Sequence, residues 1–240
     1  MTLYIVATPI GNLKDISERA LEILNSVDLI LCEDTRVTQK LLFHFKISKP
    51  LQSYHQHSQL TKMSYVLEQL KKGKNIALVS DAGTPGISDP GNKLVKYLIE
   101  KLPNLKIVPI PGPCAAIAAL SISGFPTDKF VFLGFPPHKK SREKFFKNLA
   151  QEEKVVVFYE SPHRMEKCLV ELKKYLPSQT KIVICRELTK IFETVYRGTV
   201  GEIAIPKNEI KGEFVVVICN ATIRANSRIE RFAGHFEESY

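Results

Sequence analysis

The sequence predicts an α/β protein of two domains: a mostly parallel N-terminal sheet, then a mixed C-terminal sheet, with a ligand cleft between them. Short apolar runs alternate with helix-period segments through the first half, the pattern of a parallel sheet with crossover helices. A turn-rich stretch, Gly124-Phe125-Pro126-Thr127-Asp128, then reads as a linker, and beyond it strands dominate. The 240 residues, 44% hydrophobic and 25% charged, are enough to bury two small cores. Domains are therefore expected at residues 1–125 and 126–220, followed by a polar tail at 221–240.

Leu3–Ala7 is an apolar strand. Asp15-Ile16-Ser17-Glu18 resembles a helix cap, after which Ile16, Ala20, Ile23, Leu24 and Val27 recur at helical spacing. Asp28–Cys32 gives a second strand, and a helix near Thr38–Phe45 leads into a polar loop. A helix over Thr61–Lys72 stops at Gly73, because glycine tolerates the left-handed residue that ends many helices. A buried strand Asn75–Val79, a helix Asn92–Lys101, a strand Lys106–Ile110 and a helix Cys114–Ser123 complete the first domain. In the second, strands are expected at Phe130–Leu133, Val155–Tyr159, Lys181–Cys185, Thr194–Arg197 and Glu213–Cys219, with helices at Ser141–Leu149 and about Arg164–Leu176. The tail from Ala221 shows no convincing period; a short helix and disorder both stay open.

Polar residues gather just past the strands. The loop Ser80–Gly91 packs three Gly, two Pro and two Asp into twelve residues. Gly permits positive φ and close approach of a ligand, while Pro fixes φ, so such a loop is rigid without side-chain packing. Thr8-Pro9-Ile10-Gly11-Asn12 follows the first strand, Glu33-Asp34-Thr35-Arg36 the second and Pro111-Gly112-Pro113 the fourth. Glu160-Ser161-Pro162-His163-Arg164 and Glu187 follow strands of the second half. Parallel strands end on one edge, where α/β proteins bind small molecules. Turn residues at strand ends account for the Pro and Gly, but not for acids and arginines recurring beside them.

Several function classes lose support. No run of eighteen apolar residues is present, so no membrane span is expected. The N-terminus enters a strand directly, so no secretion signal is expected and the protein reads as cytoplasmic. Five cysteines, odd in number and without a CxxC pair, read as reduced core residues. His55 and His57 lack the neighbours that would complete a ligand set, so no metal is expected. GxxxxGK[ST], a strand-following GxGxxG and GxSxG are all absent, which leaves loop backbones as the natural holders of a small ligand. A net charge of +9 favours an anionic partner, nucleic acid foremost. In Pro137–Lys147, helical spacing puts Lys140, Lys144 and Lys147 on one stripe opposite Phe145, Phe146 and Leu149, with Lys139 and Arg142 nearby. A solvated face and a phosphate-contacting ridge both fit that stripe.

Long motifs carry a resemblance. Ala7-Thr8-Pro9-Ile10-Gly11-Asn12-Leu13, Cys32-Glu33-Asp34-Thr35-Arg36, Ser80–Gly91, Pro111-Gly112-Pro113, Phe158-Tyr159-Glu160-Ser161-Pro162-His163-Arg164, Arg186-Glu187-Leu188-Thr189-Lys190 and Lys211-Gly212-Glu213-Phe214 resemble the small-subunit ribosomal RNA methyltransferase I family of the tetrapyrrole methylase superfamily. The resemblance implies a two-domain α/β fold, S-adenosyl-L-methionine held between the domains, and a homodimer. It implies methylation of a cytidine ribose 2′-hydroxyl in the decoding region of small-subunit rRNA, with the rRNA or the assembled small subunit as substrate. A tetrapyrrole or a protein residue as methyl acceptor, and a non-catalytic RNA-binding protein, are the rival readings. Two departures stand out: Tyr54-His55-Gln56-His57-Ser58-Gln59 replaces a more acidic family stretch, and Cys114 stands where the family has Ser.

Carried onto matching motifs, the resemblance assigns cofactor contacts to Pro9, Ile10, Asp81, Ala82, Gly83, Thr84, Cys114, Ala115, Glu160, Ser161 and Phe214. Asp81 either binds the cofactor or braces its own loop through an Asx-turn. Methyl transfer to a hydroxyl is an in-line displacement in which orientation supplies roughly 7–11 kcal/mol and a general base about 3–5 kcal/mol. Asp34, Glu33 and Glu187 are the candidate bases, with pairing to Arg36, Arg164 or Arg186 as their structural alternative. Arg36 and Arg164 are candidates to grip phosphates of the target nucleotide. Lys139, Lys140, Arg142, Lys144 and Lys147 complete the expected RNA contacts.

Overall fold

The computed structural model describes residues 1–54, 60–89 and 91–220, and these form two compact units. The first comprises Met1–Ala118 with Leu188–Phe192; the second comprises Ala119–Glu187 with the chain from Glu193. The expected tail at 221–240 and the histidines His55 and His57 lie outside the described residues.

In the first unit five strands, β1 (Thr2–Val6), β2 (Leu29–Cys32), β3 (Leu51–Ser53), β4 (Ile76–Leu78) and β5 (Lys106–Ile110), form a sheet in the order β3-β2-β4-β1-β5. Every pair in it is parallel. Its helices are α1 (Glu18–Ser26), α2 (Thr35–His44), α3 (Leu60–Lys71), α4 (Gly91–Lys101) and α5 (Ala115–Ser121), the last continuing into the second unit. A parallel sheet covered on both faces needs apolar residues at successive positions, and alternate residues do face opposite ways. Leu3, Leu29, Leu31, Ile76 and Leu78 pack with Leu67, Leu70, Leu94 and Leu98 of α3 and α4. Val6, Ile30, Cys32 and Ala77 pack with Ala20, Leu24 and Leu42 of α1 and α2.

Three local readings are corrected. The cap of α1 is Ser17, whose hydroxyl accepts the Ala20 N–H, whereas Asp15 closes a 3-10 turn begun by Asn12. Helix α2 starts at Thr35, three residues before the expected start, because the Asp34 carboxylate caps it by accepting the Arg36 N–H at 2.8 Å. Strand β3 was hidden in an expected loop: three residues are too few to show a period, and only parallel pairing to β2 makes them a strand.

In the second unit β6 (Phe130–Phe132), β7 (Val155–Glu160), β8 (Lys181–Arg186), β9 (Thr194–Thr199) and β10 (Phe214–Cys219) form a mixed sheet in the order β6-β7-β10-β8-β9. Only the β6–β7 pair is parallel. Helices α6 (Arg142–Leu149) and α7 (Pro162–Tyr175) cover one face, Phe146, Leu149, Met165, Cys168 and Leu172 meeting Val156, Phe158, Ile182, Ile184, Val216 and Ile218. Among the described residues no helix is long and apolar enough to cross a membrane.

Candidate active site

All five parallel strands of the first unit end on one edge, and side-chain and backbone bonds tie the loops there into one structure. Thr8 and Gly83 exchange backbone hydrogen bonds at 2.9 and 3.1 Å, joining the loop after β1 to the loop after β4. The buried Thr8 hydroxyl donates to the Ser80 carbonyl at 3.2 Å, and the Thr84 hydroxyl donates to the Pro113 carbonyl at 3.0 Å. Pro9 and Ile10, Asp81 to Thr84, and Cys114 and Ala115 therefore belong to three segments held side by side. Gly83 adopts φ +83°, and a Cβ there would stand 3.3 Å from Ile10 Cγ2 and 3.5 Å from the Pro113 carbonyl. Glycine is what lets the three loops close up. At the far end of the β4 loop, Asp89 accepts the Gly86 N–H at 2.7 Å and the Gly91 N–H at 2.8 Å.

Next to these backbone segments sits a group of carboxylates in three different states. Asp34 receives the Arg36 guanidinium at 2.6 and 3.0 Å as well as the Arg36 backbone N–H, and those bonds lower its pKa to about 2. Asp81 accepts the Asp34 N–H at 3.0 Å, so it braces the β2 loop rather than its own. Glu33 is half-buried, and among the described residues no donor bonds its carboxylate. Burial first, then the charges of Asp89 and Asp81, raise its pKa to about 7. A carboxylate that exchanges its proton near neutrality is suited to general-base work.

The second unit holds a buried ionic network at the end of β7. Arg142 and Glu160 are 2% and 1% exposed. Arg142 donates to Glu160 at 3.0 Å, to Glu171 at 2.8 Å and to the Pro137 carbonyl at 3.3 Å. The other Glu160 oxygen accepts the Ser161 N–H at 2.8 Å and lies 2.9 Å from the Arg164 guanidinium. Arg164 also donates to the Ser161 hydroxyl at 3.0 Å and the Pro136 carbonyl at 2.9 Å.

This arrangement revises several expectations. Arg142 is spent on two carboxylates and sealed from solvent, so it does not reach RNA phosphates. The Glu160 carboxylate is likewise occupied, and the Phe214 ring lies in the second unit's core, with Phe214 paired in the sheet to Glu160 on one side and Arg186 on the other. Glu187 has φ +51° and accepts the Glu213 N–H at 2.9 Å beside Gly212, a bracing role. Lys140 stands outside α6, because Ser141, at φ 74°, breaks the chain direction before the helix begins at Arg142. Lys139, Lys140, Lys144 and Lys147 are exposed, and Lys147 pairs with Glu143 at 2.8 Å. Arg36 is exposed but paired to Asp34. Sequence reasoning missed Thr8, Asp89 and Glu171. Asp89 was legible as the acid of a Ser-Asp-Pro-Gly turn, whereas Glu171 sits mid-helix with no local sign of its partner.

Comparison with known proteins follows from this geometry. The family model of tetrapyrrole (corrin/porphyrin) methylases matches residues 2–204. The chain is 50% identical over 224 residues to the ribosomal RNA small subunit methyltransferase I of Synechocystis sp., covering 92% of this chain and 79% of that one. It is 47% identical over 221 residues to the protein of the same name from Escherichia coli O157:H7, covering 90% and 77%. The solved methyltransferase CobJ superposes with a TM-score of 0.68 at 19% identity, over 94% of this chain and 97% of the other. Diphthine synthase superposes with a TM-score of 0.67 at 17% identity, over 91% and 90%. At these identities the two structures speak to the fold alone.

Proposed function

The chain belongs to the tetrapyrrole methylase family, and from that premise we propose that it is an S-adenosyl-L-methionine-dependent methyltransferase of small-subunit rRNA. The finer reading is 2′-O-methylation of a cytidine ribose in the decoding region, by a homodimer acting in the cytoplasm on rRNA within the small subunit. The 46–50% identity to ribosomal RNA small subunit methyltransferases I supports RNA over a tetrapyrrole as acceptor.

The observation that carries the reading is the bonding of three loop segments at one sheet edge by Thr8, Gly83 and Thr84. The backbones of Pro9, Ile10, Asp81 to Thr84, Cys114 and Ala115 would hold the cofactor there. The fit rests on donor chemistry: a nucleoside with an amino-acid arm is well held by amides and carbonyls on rigid loops. When bound, the cofactor supplies an electrophilic methyl group on a sulfonium. Glu33 takes the proton of the attacking hydroxyl, because its carboxylate is half-buried and not committed to a donor among the described residues. Asp34 and Glu187 are committed, as described above. The displaced electron pair stays on sulfur, and the oxygen keeps the methyl group.

The test is methyl transfer from labelled S-adenosyl-L-methionine to small subunits from a strain lacking the mark, followed by mass mapping of the ribose. Label at one cytidine ribose is expected. Label on a base or on protein, or none with folded, cofactor-binding protein, overturns the reading.

A further inference from the structure

We propose that Arg142 and Arg164 are positioning residues for RNA binding, which hold the loop Gly134–Ser141 so that His138, Lys139 and Lys140 meet the substrate's phosphates. The inference rests on the rRNA substrate proposed above. Pro136 and Pro137 have no backbone N–H, so a carbonyl is the only polar group each of these two residues offers. Each carbonyl is taken by one arginine: Pro136 by Arg164 at 2.9 Å and Pro137 by Arg142 at 3.3 Å. Both arginines are fixed in turn by the single Glu160 carboxylate, one on each oxygen.

The loop is also tied at its ends. The Gly134 carbonyl accepts the Tyr159 N–H at 2.8 Å, and the Lys139 carbonyl accepts the Arg142 N–H at 3.2 Å. Gly134 at φ 61° and Ser141 at φ 74° turn the chain on either side. A left-handed non-glycine residue is strained, and such strain persists only where the surroundings enforce it. Between these ties His138, Lys139 and Lys140 are all exposed, and among the described residues the two lysines form no ion pair.

Stability alone is a weak reason for this network. Burying Arg142 with Glu160, beside the partly buried Arg164 and Glu171, costs desolvation that apolar packing would avoid. What the planar forks add is direction, since each bonds a carboxylate and a carbonyl at once. The two arginines and Glu160 with Glu171 sum to no net charge, so the network aims the loop's charge without adding to it.

The experiment compares Arg142→Lys and Arg164→Lys with wild type, both variants keeping the charge and losing the fork. Affinity for the small-subunit RNA is measured over a range of salt, with KM, kcat and S-adenosyl-L-methionine affinity alongside, and folding checked by circular dichroism. The salt slope should fall by about 1–2, and KM for RNA should rise about tenfold, with kcat and cofactor affinity changed less than about twofold. Adding Lys139→Ala and Lys140→Ala to either variant should then cost little more. A folded variant with unchanged KM and salt slope overturns the proposal, as does failure of both variants to fold, which would make the network purely structural. Wild-type protein that transfers no methyl group to rRNA would instead overturn the proposed function, so the two failures are distinguishable.

Discussion

Glu33 and Asp34 are chain neighbours at the end of one strand, yet their carboxylates are held in opposite states. Asp34 is held ionised by three donors of Arg36, whereas Glu33, half-buried beside Asp81 and Asp89, resists ionisation up to about pH 7. The two groups are therefore not interchangeable as bases. A carboxylate with a pKa near 2 is a poor proton acceptor, and one near 7 is matched to neutral conditions.

In single-turnover methyl transfer, the wild-type rate should climb with pH and level off above about 7 as Glu33 ionises. Glu33→Gln should lower the rate ~10²–10⁴-fold and abolish the climb. Asp34→Asn should leave the climb where it is. A pH–rate profile of the three proteins decides the matter, and a Glu33→Gln protein that keeps the wild-type profile removes Glu33 from the chemistry.

The same burial gives a stability effect of definite sign. The folded protein raises the Glu33 pKa from an ordinary value of 4.5 to about 7, so it binds the proton more tightly than the unfolded chain. The contribution to stability is fully present below about 4.5 and is lost as pH rises through 7. Glu33→Gln should therefore melt at nearly the wild-type temperature in acid and above it at pH 8. Melting curves across that range check it; a gain that is the same at every pH would contradict the assignment.

For the exposed lysines the expectation concerns salt. Lys140→Glu with Lys144→Glu should weaken RNA binding and flatten its salt dependence, each lost phosphate contact lowering the slope by about 1. S-adenosyl-L-methionine affinity should be unaffected. Titrations at several salt concentrations read both, and unchanged RNA binding would take these residues out of the interface.

The parallel sheet was legible because its strands are apolar on both faces and end at unmistakable turn residues, as at Val79 and Ser80. Arg142 was not. It lies in a run of basic residues, Lys139 to Lys144, where local composition reads as an exposed ridge. Its partners Glu160 and Glu171 are 18 and 29 residues away, a pairing that only the tertiary fold creates. One signal did exist: Arg142, Phe146 and Leu149 share one helical face, and that face is the buried one. Asp34 illustrates the same limit at short range. Its cap fixes the start of α2, but an Asp-Thr-Arg run equally suits a reactive acid beside an arginine.

Two left-handed glycines, Gly83 in the loop after β4 and Gly73 just past α3, allow a test that separates backbone strain from ligand geometry. Gly83 and Gly73 have nearly the same φ, +83° and +85°, but a Cβ at Gly73 would meet nothing within 4 Å, whereas one at Gly83 would crowd Ile10 Cγ2 at 3.3 Å. Alanine at either position should cost about 1 kcal/mol for the left-handed backbone, a drop of roughly 2–4 °C in melting temperature. Only Gly83→Ala should also displace Ile10 in the loop after β1, and so weaken S-adenosyl-L-methionine binding by about tenfold. Calorimetric titration of both variants, paired with their melting curves, gives the answer. Equal cofactor affinity in the two proteins would mean that the closure of these loops serves the fold and not the cofactor.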